Sequence, residues 1–212
     1  MKNLKKISSI TFILITLLGL FPHSTLAAEL EEILKRGKLV VAVKDNTPPL
    51  GFKDAQGKLQ GFEIDIARNL AQELFGDPDA VIFEPVSNLE RIPILLDEKV
   101  DLVIARISQN SSRSRLVDFS NFYYLDGTSI VTKNPNLSLA SLNNRKIAVL
   151  EGSGTIAILR SQIPEAQLIG VKSYQEALVL LESEKADGFA ADDSVLAGWI
   201  KEYPQYRLLP IA

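Results

Sequence analysis

The run Ser-Asn-Leu-Glu-Arg-Ile-Pro-Ile-Leu-Leu-Asp-Glu-Lys-Val-Asp at 87–101 has a partner 86 positions on, Ser-Tyr-Gln-Glu-Ala-Leu-Val-Leu-Leu-Glu-Ser-Glu-Lys-Ala-Asp at 173–187. Ser87, Glu90, Glu98, Lys99 and Asp101 return in one register as Ser173, Glu176, Glu184, Lys185 and Asp187. Each copy opens as a capping box, with the serine accepting from a backbone N–H while the glutamate reaches back. Each continues as a helix, Ser87 to Glu98 and Ser173 to Glu184, and then enters a strand, Asp101 to Ala105 and Gly188 to Ala191. The shared offset marks an internal repeat.

Outward from these copies, short β-branched runs alternate with helical patterns, which is the signature of parallel α/β units. In the first half, Leu39 to Val43 and Val81 to Pro85 read as strands. Between them the spacing predicts a helix from Phe62 to Phe75, with Phe62, Ile66, Leu70 and Leu74 on one apolar face and Gly76 as the stop. In the second half the order repeats: strand Lys146 to Leu150, a helix from Thr155, strand Gln167 to Val171. A last helix is expected over Ser194 to Lys201, where Trp199 reads as lobe packing.

Two similar α/β halves place the carboxyl ends of two sheets against one cleft, and ligands bind at such ends. The residues following the third strand of each half are therefore the candidates. In the first half they are Arg106, Ser108 and Arg113; in the second they are Asp192 and Asp193, with Asp192 at the repeat position of Arg106. A guanidinium clamps a carboxylate in bidentate fashion and an aspartate takes an ammonium, so this set suits a zwitterion shared between lobes. Two plainer readings stand beside it: Arg113 lies in a polar stretch and fits a solvated arginine, and Asp192 fits a helix N-cap.

Lys2, Lys5 and Lys6, the apolar run Ile10 to Phe21 and the small pair Ala27-Ala28 read as a secretory signal peptide over residues 1–28. Its removal takes three of the 23 basic residues and the only histidine, leaving 20 basic against 26 acidic. That mildly acidic balance argues against nucleic acid as a partner. With no cysteine and no mature histidine, the usual zinc and thiol or Ser/His/Asp chemistries are excluded. Gly152, Gly154 and Ala157 spell G-x-G-x-x-A after a strand, yet Lys172 stands where an acidic ribose ligand belongs, so no cofactor is expected.

Gly-Phe-Glu-Ile-Asp-Ile at 61–66, Lys-Val-Asp-Leu-Val-Ile-Ala at 99–105, Arg113, Val-Asp-Phe-Ser at 117–120, Tyr123-Tyr124 and Gly-Ser-Gly-Thr at 152–155 resemble the polar amino-acid family of bacterial periplasmic solute-binding proteins. The resemblance runs from about Leu30 to the end. It implies a type II periplasmic-binding-protein-like fold: two βαβ lobes, 29–125 and 126–212, joined by a hinge around a cleft. It implies a periplasmic monomer that presents a polar amino acid to an ABC permease. Carried over by position, Arg113 grips the ligand α-carboxylate with Ser108, Ser153 and Thr155 beside it, and Asp192 takes the α-ammonium. Arg106, Asp45 and Asn88 complete the expected lining, Arg106 favouring an acidic or amide side chain and Asp45 with Glu151 a basic one. Family members continue past the equivalent of Ala212 with a return crossing, so the first lobe is expected to be incomplete, with an unpaired strand edge and an uncovered apolar face. The competing reading is an enzyme on the same fold, a cyclohexadienyl dehydratase using a cleft carboxylate.

Overall fold

The computed structural model describes residues 26–211 and divides into two units, one ending at Arg36 and one starting at Gly37. Of the first, helix α1 (Leu26–Arg36) is described; of the signal-peptide reading over residues 1–28, residues 1–25 lie outside the described residues and 26–28 fall at the start of α1.

In the second unit, strand β1 (Leu39–Val43) is the centre of a parallel three-stranded sheet, between β5 (Val81–Pro85) and β6 (Leu102–Ile104). Val41, Ala42 and Val43 are wholly buried, as a strand covered on both faces should be. A second sheet runs β11 (Arg207–Pro210), β7 (Thr128–Thr132), β10 (Gly188–Asp192), β8 (Lys146–Leu150), β9 (Gln167–Val171), with β7 and β11 antiparallel. In both sheets the first strand of a half lies between its second and its third.

The repeat is visible atom by atom. Asp101 Oδ2 accepts from Val40 N–H at 2.7 Å, and Asp187 Oδ2 from Lys146 N–H at 2.8 Å. Glu98 and Glu184 both take φ of 55°, and the following lysines donate backbone N–H to Ile94 O and Leu180 O, again 86 apart. The two helices differ at their starts. α5 (Tyr174–Glu182) is capped by Ser173, whose Oγ accepts from Glu176 N–H at 3.1 Å. Its equivalent α3 spans only Arg91–Leu96, shorter than the expected Ser87 to Glu98, and of the expected box the Glu90 carboxylate accepts from Ser87 N–H at 2.7 Å. Pro93 explains the late start: it lacks an N–H and fits a helix only in its first turn.

Helix α2 (Phe62–Phe75) has the expected limits and a different buried face. Glu63, Ile64, Ala67 and Ala71 are buried, whereas Phe62 and Leu70 are exposed. The two alanines let the backbone approach the sheet, and the bulkier stripe turns outward, where Phe62 meets the rings of Tyr123 and Tyr124 at 6.3 and 5.8 Å. β6 pairs only with β1 among the described residues, and Leu102 on it and Leu96 at the end of α3 are exposed.

Three short strands, β2 (Asn46–Thr47), β3 (Gly51–Lys53) and β4 (Leu59–Gln60), form a meander between β1 and α2. The second half is completed by α4 (Thr155–Gln162) and α6 (Asp193–Glu202). Trp199 on α6 packs among Phe189, Tyr203 and Tyr206, with centroids 5.3, 5.6 and 6.1 Å away, as lobe packing requires.

Candidate functional site

The segments after β6 and after β8 meet face to face. Arg113 opens a 3-10 turn (Arg113–Arg115) whose approach is held by Asn110, its Oδ1 accepting from Arg113 N–H at 2.9 Å. Its guanidinium donates to Ser108 O at 2.8 Å and Ser108 Oγ at 3.0 Å, and across the cleft to Gly152 O at 2.9 Å. Ser108 approaches so closely that a Cβ on Gly154 would stand 2.4 Å from its Oγ. Ser153 Oγ is buried without a hydrogen-bond partner among the described residues, and Thr155 is buried at the start of α4. That helix has no side-chain cap. Arg113, Ser108, Ser153 and Thr155 are thus gathered at one end of the cleft around the open N-terminus of α4, where partial positive charge favours an anion.

Asp192 stands in the same half as the α4 N-terminus, at the end of β10 and the start of α6, where it makes no side-chain cap among the described residues. Its carboxylate pairs instead with Arg106, its own repeat equivalent, and Arg106 Nη1 also donates to Tyr174 Oη at 2.8 Å. The Arg106 side chain is one-tenth exposed and its Nε lacks a partner among the described residues. Burial works against its charge, but Tyr174 and Asp192 outweigh it and hold the guanidinium firmly protonated. The backbone of Arg106 is left-handed, φ 52°, an uncommon state for a long side chain. It is pinned by Glu63, whose Oε1 accepts from Arg106 N–H at 2.7 Å and from Tyr123 Oη at 2.6 Å. Burial raises the Glu63 pKa and these two donors oppose the rise.

Asn88 and Asp45 fall at the other end. Asp45 is paired with Lys53 at 2.9 Å, and Asn88 O accepts from Arg91 Nε at 3.0 Å. Two cavities lie here, of about 140 and 250 Å³. They share Lys44, Asn46, Ser87 and Lys172; Asn88, Glu151 and Tyr174 line the smaller and Asp45 the larger. Arg113, Ser108, Arg106 and Asp192 line neither, because they are closed upon one another.

Three important groups escape a reading by pattern. Arg91 is buried and donates to the carbonyls of Asn88, Ala105, Arg106 and Gly152, tying both halves together. Burial, then Arg113 and Arg106, bring its pKa down to about 10. Its repeat equivalent is the buried Ala177, and an arginine in place of that alanine was the available signal. Glu63, an acid in an apolar helix, and Lys44, a charge directly after a buried strand, carry fainter ones.

Two α/β lobes of like topology, with an arginine and an aspartate on opposite walls of the cleft between them, define a periplasmic-binding-protein-like receptor. Residues 39–203 match the family described as bacterial extracellular solute-binding proteins, family 3, and the chain belongs to it. It is 33% identical to a glutamine-binding protein of Geobacillus stearothermophilus, over 85% of this chain and 70% of that one. An ABC transporter glutamine-binding protein of Bacillus subtilis is 32% identical, over 87% and 67%. Among solved structures, the solute receptor for L-cysteine of Neisseria gonorrhoeae superposes with a TM-score of 0.78 at 30% identity, covering 84% of this chain and 73% of the receptor. An ancestral arginine-binding protein bound to arginine gives 0.75 at 32%, covering 82% and 79%. The family is one of binding proteins, so the chain is not an enzyme, and the dehydratase reading lapses.

Proposed function

We propose that the protein binds a polar α-amino acid between its lobes in the periplasm and presents it, as a monomer, to the permease of an ABC importer. The observation that carries this is Arg113, aimed from Ser108 across the cleft at the Gly152 loop. A ligand α-carboxylate takes the place of the Gly152 carbonyl, accepting from the guanidinium, from Ser108 Oγ, and from Ser153 and Thr155 at the α4 N-terminus. The α-ammonium takes the place of Arg106 on Asp192. The relatives named for glutamine, cysteine and arginine support an amino acid and disagree on which one. The division into lobes at residues 125 and 126 belongs to the same proposal, with Tyr123 and Tyr124 beside the hinge. Titration calorimetry of the exported chain with the common amino acids tests it. At least one must bind with Arg113 present, and Arg113→Ala must weaken it by about 2–5 kcal/mol through an unpaired carboxylate in a closed cleft. Unchanged affinity in that variant would remove Arg113 from its role.

A further inference from the structure

Lys44 follows β1 directly and is 5% exposed, yet no carboxylate lies within ion-pair distance of it among the described residues. Its one hydrogen bond there goes to Val86 O, at 2.7 Å, leaving two of its three donors for something else. A buried ammonium without a counter-ion is costly. Both cavities are lined by it. Lys172 lines both as well; it follows β9 in the other half as Lys44 follows β1. Two lysines, one from each lobe at the carboxyl end of a strand, therefore face one space, with Ser87 and Asn46 beside them.

Resting on the amino-acid reading above, we infer that Lys44 and Lys172 form the side-chain subsite of the cleft and that the ligand is an amino acid with an anionic side chain. Two carboxylates line the cavities, and a third, Glu90, acts on Lys44 from outside them while its own carboxylate accepts from Ser87 N–H. Asp45 is already neutralised by Lys53. Glu151 lies over Gly170, where a Cβ would meet its side chain at 3.1 Å, and leaves Lys172 and Lys44 as the majority charge. Behind Lys44 stand Arg91 and Arg106, which depress its pKa after burial has done so. A cationic side chain entering here adds charge to a positive wall; a carboxylate accepts the spare donors and relieves the burial cost.

Calorimetry on the full exported chain with L-glutamate, L-aspartate, L-glutamine, L-arginine and L-cysteine separates the outcomes. An acidic amino acid should bind at least tenfold tighter than L-glutamine. Lys44→Met should remove that preference, weakening the acid tenfold or more while L-glutamine changes less than threefold. Lys172→Met, on the other half, should act in the same direction and serves if the first variant fails to fold. Tightest binding of L-arginine, or equal losses for acid and amide in the variants, overturns the subsite and leaves the amino-acid reading intact. Binding of none of the panel, with Arg113→Ala indistinguishable from the parent, overturns both.

Discussion

Arg106→Gly should make the protein bind its amino acid more tightly, although the substitution deletes a buried ion pair. Arg106 holds Asp192 and Tyr174 from the opposite lobe, so it occupies the place that a ligand ammonium needs. Hydrogen bonds to charged groups contribute about 1.5–3 kcal/mol each, and Asp192, near one-third exposed, falls toward the low end. Against that loss, glycine adopts the left-handed backbone of residue 106 without the ~1–2 kcal/mol that a side chain costs there. The Arg106 closure onto Asp192 and Tyr174 therefore loses on the order of 1–2 kcal/mol, which the ligand no longer has to displace. That corresponds to roughly 5–30-fold in affinity. Calorimetry measures the gain with the free amino acid. Small-angle scattering of the empty protein measures the matching shift toward an open cleft. The gain should vanish for a deaminated analogue, which has no ammonium to place on Asp192. A loss of affinity for the amino acid would refute the reasoning and make Arg106 a ligand contact.

Other outcomes follow from the same geometry. Asp192→Asn should weaken ligands with a free α-ammonium and leave deaminated analogues nearly unchanged, as read in a competition titration. Gly154→Ala keeps an ordinary helical backbone but sets a Cβ 2.4 Å from Ser108 Oγ, so Ser108 must shift and calorimetry should show weaker binding of the amino acid. The Lys44 ammonium is depressed to about 8 by burial and then by Arg91 and Arg106, with Asp45 and Glu90 opposing, while Lys172 and Glu151 face the same cavity. Its folded pKa lies below the unfolded 10.5, so the unfolded chain holds the proton longer and this group's contribution to stability rises from pH 8 to about 10. Affinity for an acidic amino acid should fall over the same interval, because the empty site loses the proton that the bound carboxylate needs.

How much of this was legible in the sequence depends on whether a residue acts locally. Strands β1, β5, β8 and β9 and the ends of α2 coincide with their sequence limits, because apolar run length and the Gly76 stop are local signals. The repeat was legible for the same reason: Asp101 and Asp187 do one job at two strand entries. The buried face of α2 was not. Hydrophobicity favoured Phe62 and Leu70, whereas close approach to β1 required Ala67 and Ala71, and Glu63 was drawn inside by Arg106 and Tyr123 from distant segments. Strands β2 to β4 are too short to show a period, and β7 and β11 are antiparallel additions outside the repeat. Arg113, Ser108, Ser153 and Thr155 come together because chain order after a strand places them. That Asp192 is engaged by Arg106, and that Arg91 is the strut between the halves, depends on contacts 61 to 86 residues apart that no local pattern encodes.

A thermal-shift screen of the common amino acids on the protein, run in parallel with Arg113→Ala, tests the central claim most directly, since a ligand that binds only the folded state raises its melting temperature. The account predicts that at least one amino acid, an acidic one foremost, raises the midpoint of the parent and not of the variant. Equal shifts in both proteins, or none from any amino acid, would contradict it.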